Sequence, residues 1–462
     1  MTTKIINVVD TIDRSRLGRL QYFVLGLCML SLIIDGFDVQ AMGYVAPAII
    51  KQWGIAKADL GPVFGAGLMG MAIGALTLGP VADRIGRRPV LIGSMFCLSV
   101  CMLATAYASS INELLVLRFL TGLSMGTIIP NAVALAGEFS PARVRVTLMM
   151  ITSSGFIVGG AVGGAIAAAV IPVYGWSFVF IAGAVAPLLL AIVMLVSMPE
   201  SLQFLAMQRN RVQQIRRTLA RIDPQLDMPA DSTFSIPEKK KSGVPFMHLF
   251  RDGLGTGTVL LWVVNFMNLL AAYFLANWLP VIMSEAGHST SQAVLAGTFF
   301  WLGGMVGNLL LGWCVDRRGF GPTLTLTFIG AALMIVVIGQ VAASMSMAGL
   351  VIAAAGFCVL GGQTALNALA AVYYPTSVRS TGMGWAMGIG RFGSIFGPVI
   401  GGELMRFNWS TSNLFIAAAV PAVIALFAVL AFWRLGSLPA TARSVAGLST
   451  IPCSRQVAPS RR

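Results

Sequence analysis

The chain has 462 residues, of which 57% are hydrophobic and only 10% charged, with a formal net charge of +14 and a mean hydropathy of +0.83. Soluble domains carry about 25% charged residues, so the composition excludes an ordinary water-soluble enzyme. The apolar residues fall in blocks near or above the ~18–20 that cross a bilayer as helix, not in the short alternating segments of a β-barrel, and an all-α membrane protein follows.

The opening stretch 1–21, "INVVDTIDRSRLGRL" included, is polar and basic. The first apolar block begins near Tyr22 and far exceeds the ~7–15 residues of a signal-peptide core. No A-x-A-like site follows it, so it reads as a retained span. Continuing in chain order, the blocks predict twelve transmembrane helices at 22–50, 60–82, 89–108, 111–137, 146–171, 176–198, 257–284, 291–315, 323–343, 347–373, 380–405 and 411–434. With the N-terminus placed inside, 26 of the 31 Lys and Arg fall in cytoplasmic segments, and only Lys51, Lys57 and Arg406 fall outside. This positive-inside bias puts both termini in the cytoplasm. It also accounts for the basic charge without a nucleic-acid partner.

The predicted organisation is therefore a segment 1–21, a six-helix bundle 22–198, a cytoplasmic loop 199–256, a second bundle 257–434 and a tail 435–462. Within the loop, "RNRVQQIRRTLARI" spaces Val212, Ile215, Leu219 and Ile222 helically. It predicts an amphipathic helix, either on the membrane face or as a linker with a solvated basic side. The six cysteines include an i, i+4 pair, Cys97 and Cys101, but no His or second pair completes a metal site. No metal or cofactor is expected.

The halves repeat. "GPVADRIGRRPVL" (79–91) aligns with "GWCVDRRGFGPTL" (312–324), and "PARVR" (141–145) with "PTSVR" (375–379). Each match lies in a short connection after the second or fourth span of its half. An even number of spans per half makes this a parallel repeat about the membrane normal, suited to two bundles rocking about a central site.

"GPVADRIGRRPVL" resembles the loop signature of the major facilitator superfamily, and "PES" (199–201) is similar to another of its habits. "DGFD" in span one, "RFLTGLSMGTIIPNAVALAGEFSP" (118–141) and "YYPTSVRSTGMGWAMGIGRFGSIFG" (373–397) resemble the aromatic acid:proton symporter family. Its hydroxybenzoate and protocatechuate transporters are the members most resembled. The resemblance covers nearly the whole chain. It implies two pseudo-symmetric six-helix bundles in the major facilitator fold, a multi-pass protein of a bacterial-type inner membrane, and an aromatic carboxylate as substrate. The second-half loop departs from the pattern, with "DRRGFGP" where the first has "DRIGRRP", so its charge cluster is thinner.

Charges inside the spans are costly, ~2.5–3.5 kcal/mol each at the bilayer centre on insertion scales, and are functional by default. Asp35 and Asp38 share a face of span one near mid-membrane. Two acids so close disfavour each other's ionisation, and desolvation acts the same way, as a proton carrier needs. The alternative is a permanent ion pair with an Arg on a neighbouring helix. The two histidines, His248 and His288, lie in predicted loops, which leaves the pair as the proton-coupling candidate. Arg391 in span eleven and Arg118 in span four are the remaining intramembrane charges. A guanidinium matches a carboxylate with a planar fork. Arg391, the deeper, is expected to bind the substrate carboxylate. Arg118, also a substrate-binding candidate, is expected rather to neutralise a span-one Asp or to stabilise the outward gate.

Asn131, Gln363, Asn367 and Trp385 fill out the expected pocket, with Tyr44, Asn265, Asn268 and Tyr273 as further candidates, since an aromatic acid wants an apolar slot, a cation and a hydrogen-bonding group for a ring hydroxyl. In the connecting loops Asp83, Arg84, Arg87, Glu138, Arg143, Arg145, Asp316 and Arg317 are expected to gate, with Asp83 latched to Arg143 or Arg145 when the inside closes. The expected function is import of an aromatic carboxylate with protons by alternating access, by a monomer, with the substrate, protons and lipid as partners. A proton antiporter exporting aromatic compounds and a non-transporting sensor of the same ligands are the rivals. No nucleotide loop or catalytic set is present to suggest an enzyme.

Overall fold

The computed structural model describes residues 5–434, apart from 209–210, 224–228, 230–232, 236–245, 252, 376–377 and 408. The tail 435–462 and much of the central loop lie outside the described residues. Among those described, twelve long helices form the array: Arg19–Trp53, Lys57–Ile85, Arg87–Ala106, Ile111–Glu138, Arg145–Tyr174, Trp176–Ser197, Gly255–Glu285, Thr290–Arg318, Phe320–Val341, Met345–Tyr373, Arg379–Arg406 and Thr411–Arg434. Eleven are long and apolar enough to cross a membrane. The remaining one, span eleven, carries Arg391 and eight glycines, which lower its hydropathy, yet it packs along span seven. Several helices overrun the apolar blocks at both ends, because a helix continues into the interface where charged side chains reach water.

The sequence repeat is also a repeat in packing. Span one lies against span five as span seven lies against span eleven, and spans two and four pair as spans eight and ten do. Spans three with six, and nine with twelve, form outer pairs. Small residues make the inner contacts possible. A Cβ at Gly36, between the two aspartates, would stand 1.9 Å from the carbonyl oxygen of Phe156 on span five.

The halves meet through spans two and eleven, five and eight, and one and seven. The face where span one begins and span twelve ends collects most of the Lys and Arg, and is called the basic face below. Toward the opposite face the halves are closed together. Lys57 pairs with Glu285 there, and the Ser291 hydroxyl donates to the Ala168 carbonyl at 2.7 Å. Deeper, Gln40 donates to the Ala276 carbonyl at 2.9 Å, and Phe64 meets Trp278 edge-on at 5.2 Å.

At the basic face, Gly86 and Gly319, equivalent in the repeated loop, have φ of +106° and +78°. Those values explain the repeated glycine, since a Cβ is strained there. Glu200 of "PES" receives the backbone N–H groups of Arg87 and Arg88, both at 3.1 Å, and so caps span three. Arg87 pairs with Glu138 at 2.9 Å, and Glu138 also accepts the Ser201 hydroxyl. The expected latch of Asp83 to Arg145 is not formed. Arg145 instead pairs with Asp13 and donates to the Gly137 carbonyl at 2.9 Å. These contacts all lie within the first half, so they brace that bundle. Asp83, Arg84, Arg143 and Asp316 are exposed and form no ion pair among the described residues, while Arg317 lies over the Trp313 ring at 4.3 Å.

The expected amphipathic helix is present as Val212–Ile222. Its buried face, Ile215, Leu219 and Ile222, is covered by protein: it contacts the short helix Leu202–Met207 and span one. Ile5–Asn7 and Thr233–Ser235 add a short parallel pairing that the helical reading did not anticipate.

Candidate functional site

Span one delivers both carboxylates to the interior, and the structure separates their environments. Asp38 is 2% exposed and Arg118 4%. Arg118 Nη1 donates to both Asp38 oxygens, at 3.1 and 3.3 Å. Its Nη2 donates to the hydroxyls of Thr105 and Thr121, at 3.2 and 3.3 Å, and the Phe180 ring lies 5.1 Å from the guanidinium carbon. A buried ion pair is stable when its remaining donors are satisfied, and here only Arg118 Nε lacks a partner. Arg118 thus neutralises a span-one Asp, as its other reading expected, and that Asp is Asp38.

Asp35 is fully buried, and neither carboxylate oxygen has a hydrogen-bond partner among the described residues. The charges of Asp38 and Arg391 both act on it. Arg391 is half-buried and makes no ion pair among the described residues. Its charge also reaches Tyr273 on span seven, which Asp35 influences too.

Tyr273 lines a cavity of about 540 Å³ between the halves, within the range that takes a small ligand. Its walls come from spans one, four, five, seven, eight and ten, and none of the lining residues is charged. Val146 and Met150, at the end of span five nearest the basic face, are exposed wall residues, and the halves are joined at the opposite face by the contacts described above.

Two of the expected polar residues, Gln363 and Asn367, line this cavity. They are tied into an amide set: Gln363 Nε2 donates to Asn265 and Asn367 at 2.9 and 3.2 Å, and its Oε1 accepts from Asn268 at 2.9 Å. Two others are elsewhere. Asn131 is buried and donates back to the Thr127 carbonyl at 2.8 Å. Ile129 and Val133 line the cavity, and a residue midway between i and i+4 neighbours points away from their face. Trp385 is 44% exposed and joins Phe246 and Trp262 in an aromatic cluster near the basic face. Six residues along a helix turn it well away from Arg391.

The sequence reading missed Trp301 and Asn308 on span eight. Both line the cavity, and the Trp301 Nε1 and Asn308 Oδ1 atoms are buried without a partner. The available signal was a polar amide seven residues from an indole inside an apolar helix, two turns apart on one face.

The family model described as Major Facilitator Superfamily matches residues 28–353 and 261–455. The chain is 41% identical over 429 residues to the 4-hydroxybenzoate transporter PcaK of Pseudomonas putida, covering 92% of this chain and 96% of that protein. It is 40% identical over 437 residues to the gallate transporter of Pseudomonas putida, covering 94% and 97%. Among solved structures, a bacterial homolog of the human lysosomal transporter Spinster, in an inward-facing and occupied conformation, superposes with a TM-score of 0.73 at 16% identity, covering 92% of this chain and all of that one. At that identity the likeness speaks to the fold alone.

Proposed function

The chain belongs to the major facilitator superfamily, and on that premise we propose that it imports a hydroxylated aromatic carboxylate together with protons by alternating access. The observation that carries the reading is the buried Asp35 carboxylate on span one, which has no hydrogen-bond partner among the described residues, in a chain whose halves enclose a cavity with no charged lining residue. The names of the relatives, a 4-hydroxybenzoate and a gallate transporter, support the substrate class.

The coupling follows from charge balance. Arg391 has one anion to face, either Asp35 or the substrate carboxylate. A proton on Asp35 removes the competitor and leaves the guanidinium for the substrate. With both bound, the group of Asp35, Arg391 and substrate is neutral apart from the static Asp38–Arg118 pair. That neutrality lowers the desolvation cost of closing the cavity around it. On the other side the substrate leaves, Arg391 attracts the Asp35 charge, and the proton departs.

One proton with one monoanion would move no net charge and leave the pH gradient as the drive, whereas a second proton would add the membrane potential. The basic face is the cytoplasmic one by its excess of Lys and Arg. The arrangement described is then open to the cytoplasm, and the contacts of Lys57 with Glu285 and of Ser291 with Ala168 form the closed outer gate. The exposed loop charges, Asp83, Arg84, Arg143, Asp316 and Arg317, are free to meet when the cavity closes inward.

Uptake of labelled 4-hydroxybenzoate into proteoliposomes under an inward proton gradient tests the proposal. Accumulation above equilibrium, abolished by a protonophore, is the expected result. Accumulation only under an outward proton gradient makes the protein an exporter, and binding without flux makes it a sensor.

A further inference from the structure

Among the polar groups on and just behind the cavity wall, two sets differ in how they are bonded. On spans seven and ten the amides of Asn265, Asn268, Gln363 and Asn367 hydrogen-bond one another and the backbone. On span eight, the Trp301 indole N–H and the Asn308 Oδ1 have no partner among the described residues, although both atoms are buried. Trp301 is 3% exposed. Buried polar atoms normally find a partner, and one left without carries a desolvation cost that an incoming ligand atom can relieve.

The two free groups are also held in place. The Trp301 ring packs on Gly160 of the opposite half, where a Cβ would come 2.6 Å from it, and Phe156 meets it edge-on at 5.8 Å. The Gly160 carbonyl in turn accepts the Tyr44 hydroxyl at 2.7 Å. The indole is therefore clamped with its N–H fixed in direction, which is the condition for selective recognition.

Their chemistry selects among possible ligand atoms. Asn308 Oδ1 is an acceptor and needs a donor. An ionised carboxylate has none to give, and a phenolic hydroxyl has one. The indole N–H only donates, so it takes an oxygen. We propose that span eight carries the edge that reads the ring substituents of the transported acid, Asn308 accepting a ring hydroxyl and Trp301 donating to a substrate oxygen. This rests on the transport reading above, and it makes Asn308 and Trp301 the specificity-determining residues in place of Gln363 and Asn367. A site built to hydrogen-bond a hydroxyl discriminates strongly against the analogue that lacks it.

The test is proteoliposome uptake of benzoate, 4-hydroxybenzoate and 3,4-dihydroxybenzoate by the wild type, Asn308→Leu and Trp301→Phe. The wild type is expected to prefer the hydroxylated acids. Asn308→Leu should cut that preference about tenfold, and membrane insertion with an unchanged thermal unfolding profile in detergent shows that the variant is folded. Trp301→Phe keeps the ring on Gly160 and removes the donor, and should raise KM about tenfold with little change in kcat. If Asn308→Leu does not reach the membrane, Asn308→Ala takes its place. An unchanged hydroxyl preference in the Asn308 variant, with an unchanged KM in Trp301→Phe, overturns the assignment while the transport reading stands. If the wild type accumulates none of the three acids, the transport reading fails and the subsite goes with it.

Discussion

Arg118 grips Asp38 in a buried ion pair, Nη1 to Oδ1 at 3.1 Å, while Asp35, one helical turn away on the same span, has no hydrogen-bond partner among the described residues. The two acids of "DGFD" are therefore not equivalent, and the predictions begin from that difference.

Asp35→Asn should abolish proton-driven accumulation yet leave substrate exchange between preloaded vesicles, because the neutral amide mimics the protonated state. Asp38→Asn should act on stability instead. It strands a buried guanidinium, a change that costs about 3–5 kcal/mol. Thermal unfolding in detergent should show a marked drop for Asp38→Asn and a small one for Asp35→Asn. Equal drops, or full accumulation by Asp35→Asn, would remove Asp35 from its role.

Arg391→Lys keeps the charge and loses the fork. Substrate affinity, measured by competition, should weaken about tenfold, the difference of roughly 1.4 kcal/mol expected when a bidentate contact becomes a single one. An unaltered affinity would make Arg391 a structural residue.

The Lys57–Glu285 contact closes the face opposite the basic one with both side chains about one-third exposed. Pairs of that exposure contribute ~0–1 kcal/mol, small enough to break in every cycle. Glu285→Gln should therefore raise the reactivity of a cysteine placed at Ala58 toward an impermeant thiol reagent by a factor of about two to five. The same reactivity in the variant and the parent would show that the pair does not hold the gate.

Glu200 caps span three through two backbone N–H groups. Glu200→Gln should lower stability by about 1 kcal/mol, as loss of a charged cap does, without changing substrate selectivity. Thermal unfolding and the benzoate competition panel check the two halves of this expectation.

Much of the fold was legible before any coordinates. Hydropathy blocks located all twelve spans, and the matched loops at 79–91 and 312–324 announced the repeat that appears as equivalent packing of spans one with five and seven with eleven. The exposed loop charges could be listed but not paired: the latch of Asp83 to Arg143 or Arg145 is expected when the inside closes, and in the arrangement described Arg145 pairs with Asp13. The polar residues of the cavity were half legible. Gln363 and Asn367 do line it, whereas Asn131 and Trp385 do not, because a few residues of offset along a helix reverse the face presented.

What the sequence determined by itself is what depends on local pattern: which segments are apolar enough to span, where basic residues gather, and that a charge within a span needs a reason. Which charge meets which depends on how helix faces are brought together. Close approach at small residues such as Gly36 and Gly160 set that arrangement. Only the tertiary structure therefore chose Asp38 over Asp35 as the partner of Arg118, left the Asp35 carboxylate without a hydrogen-bond partner among the described residues, and put Trp301 and Asn308 on the cavity wall. Each of these outcomes rests on contacts between residues far apart in the chain, and hydropathy and helical period carry no information about such contacts.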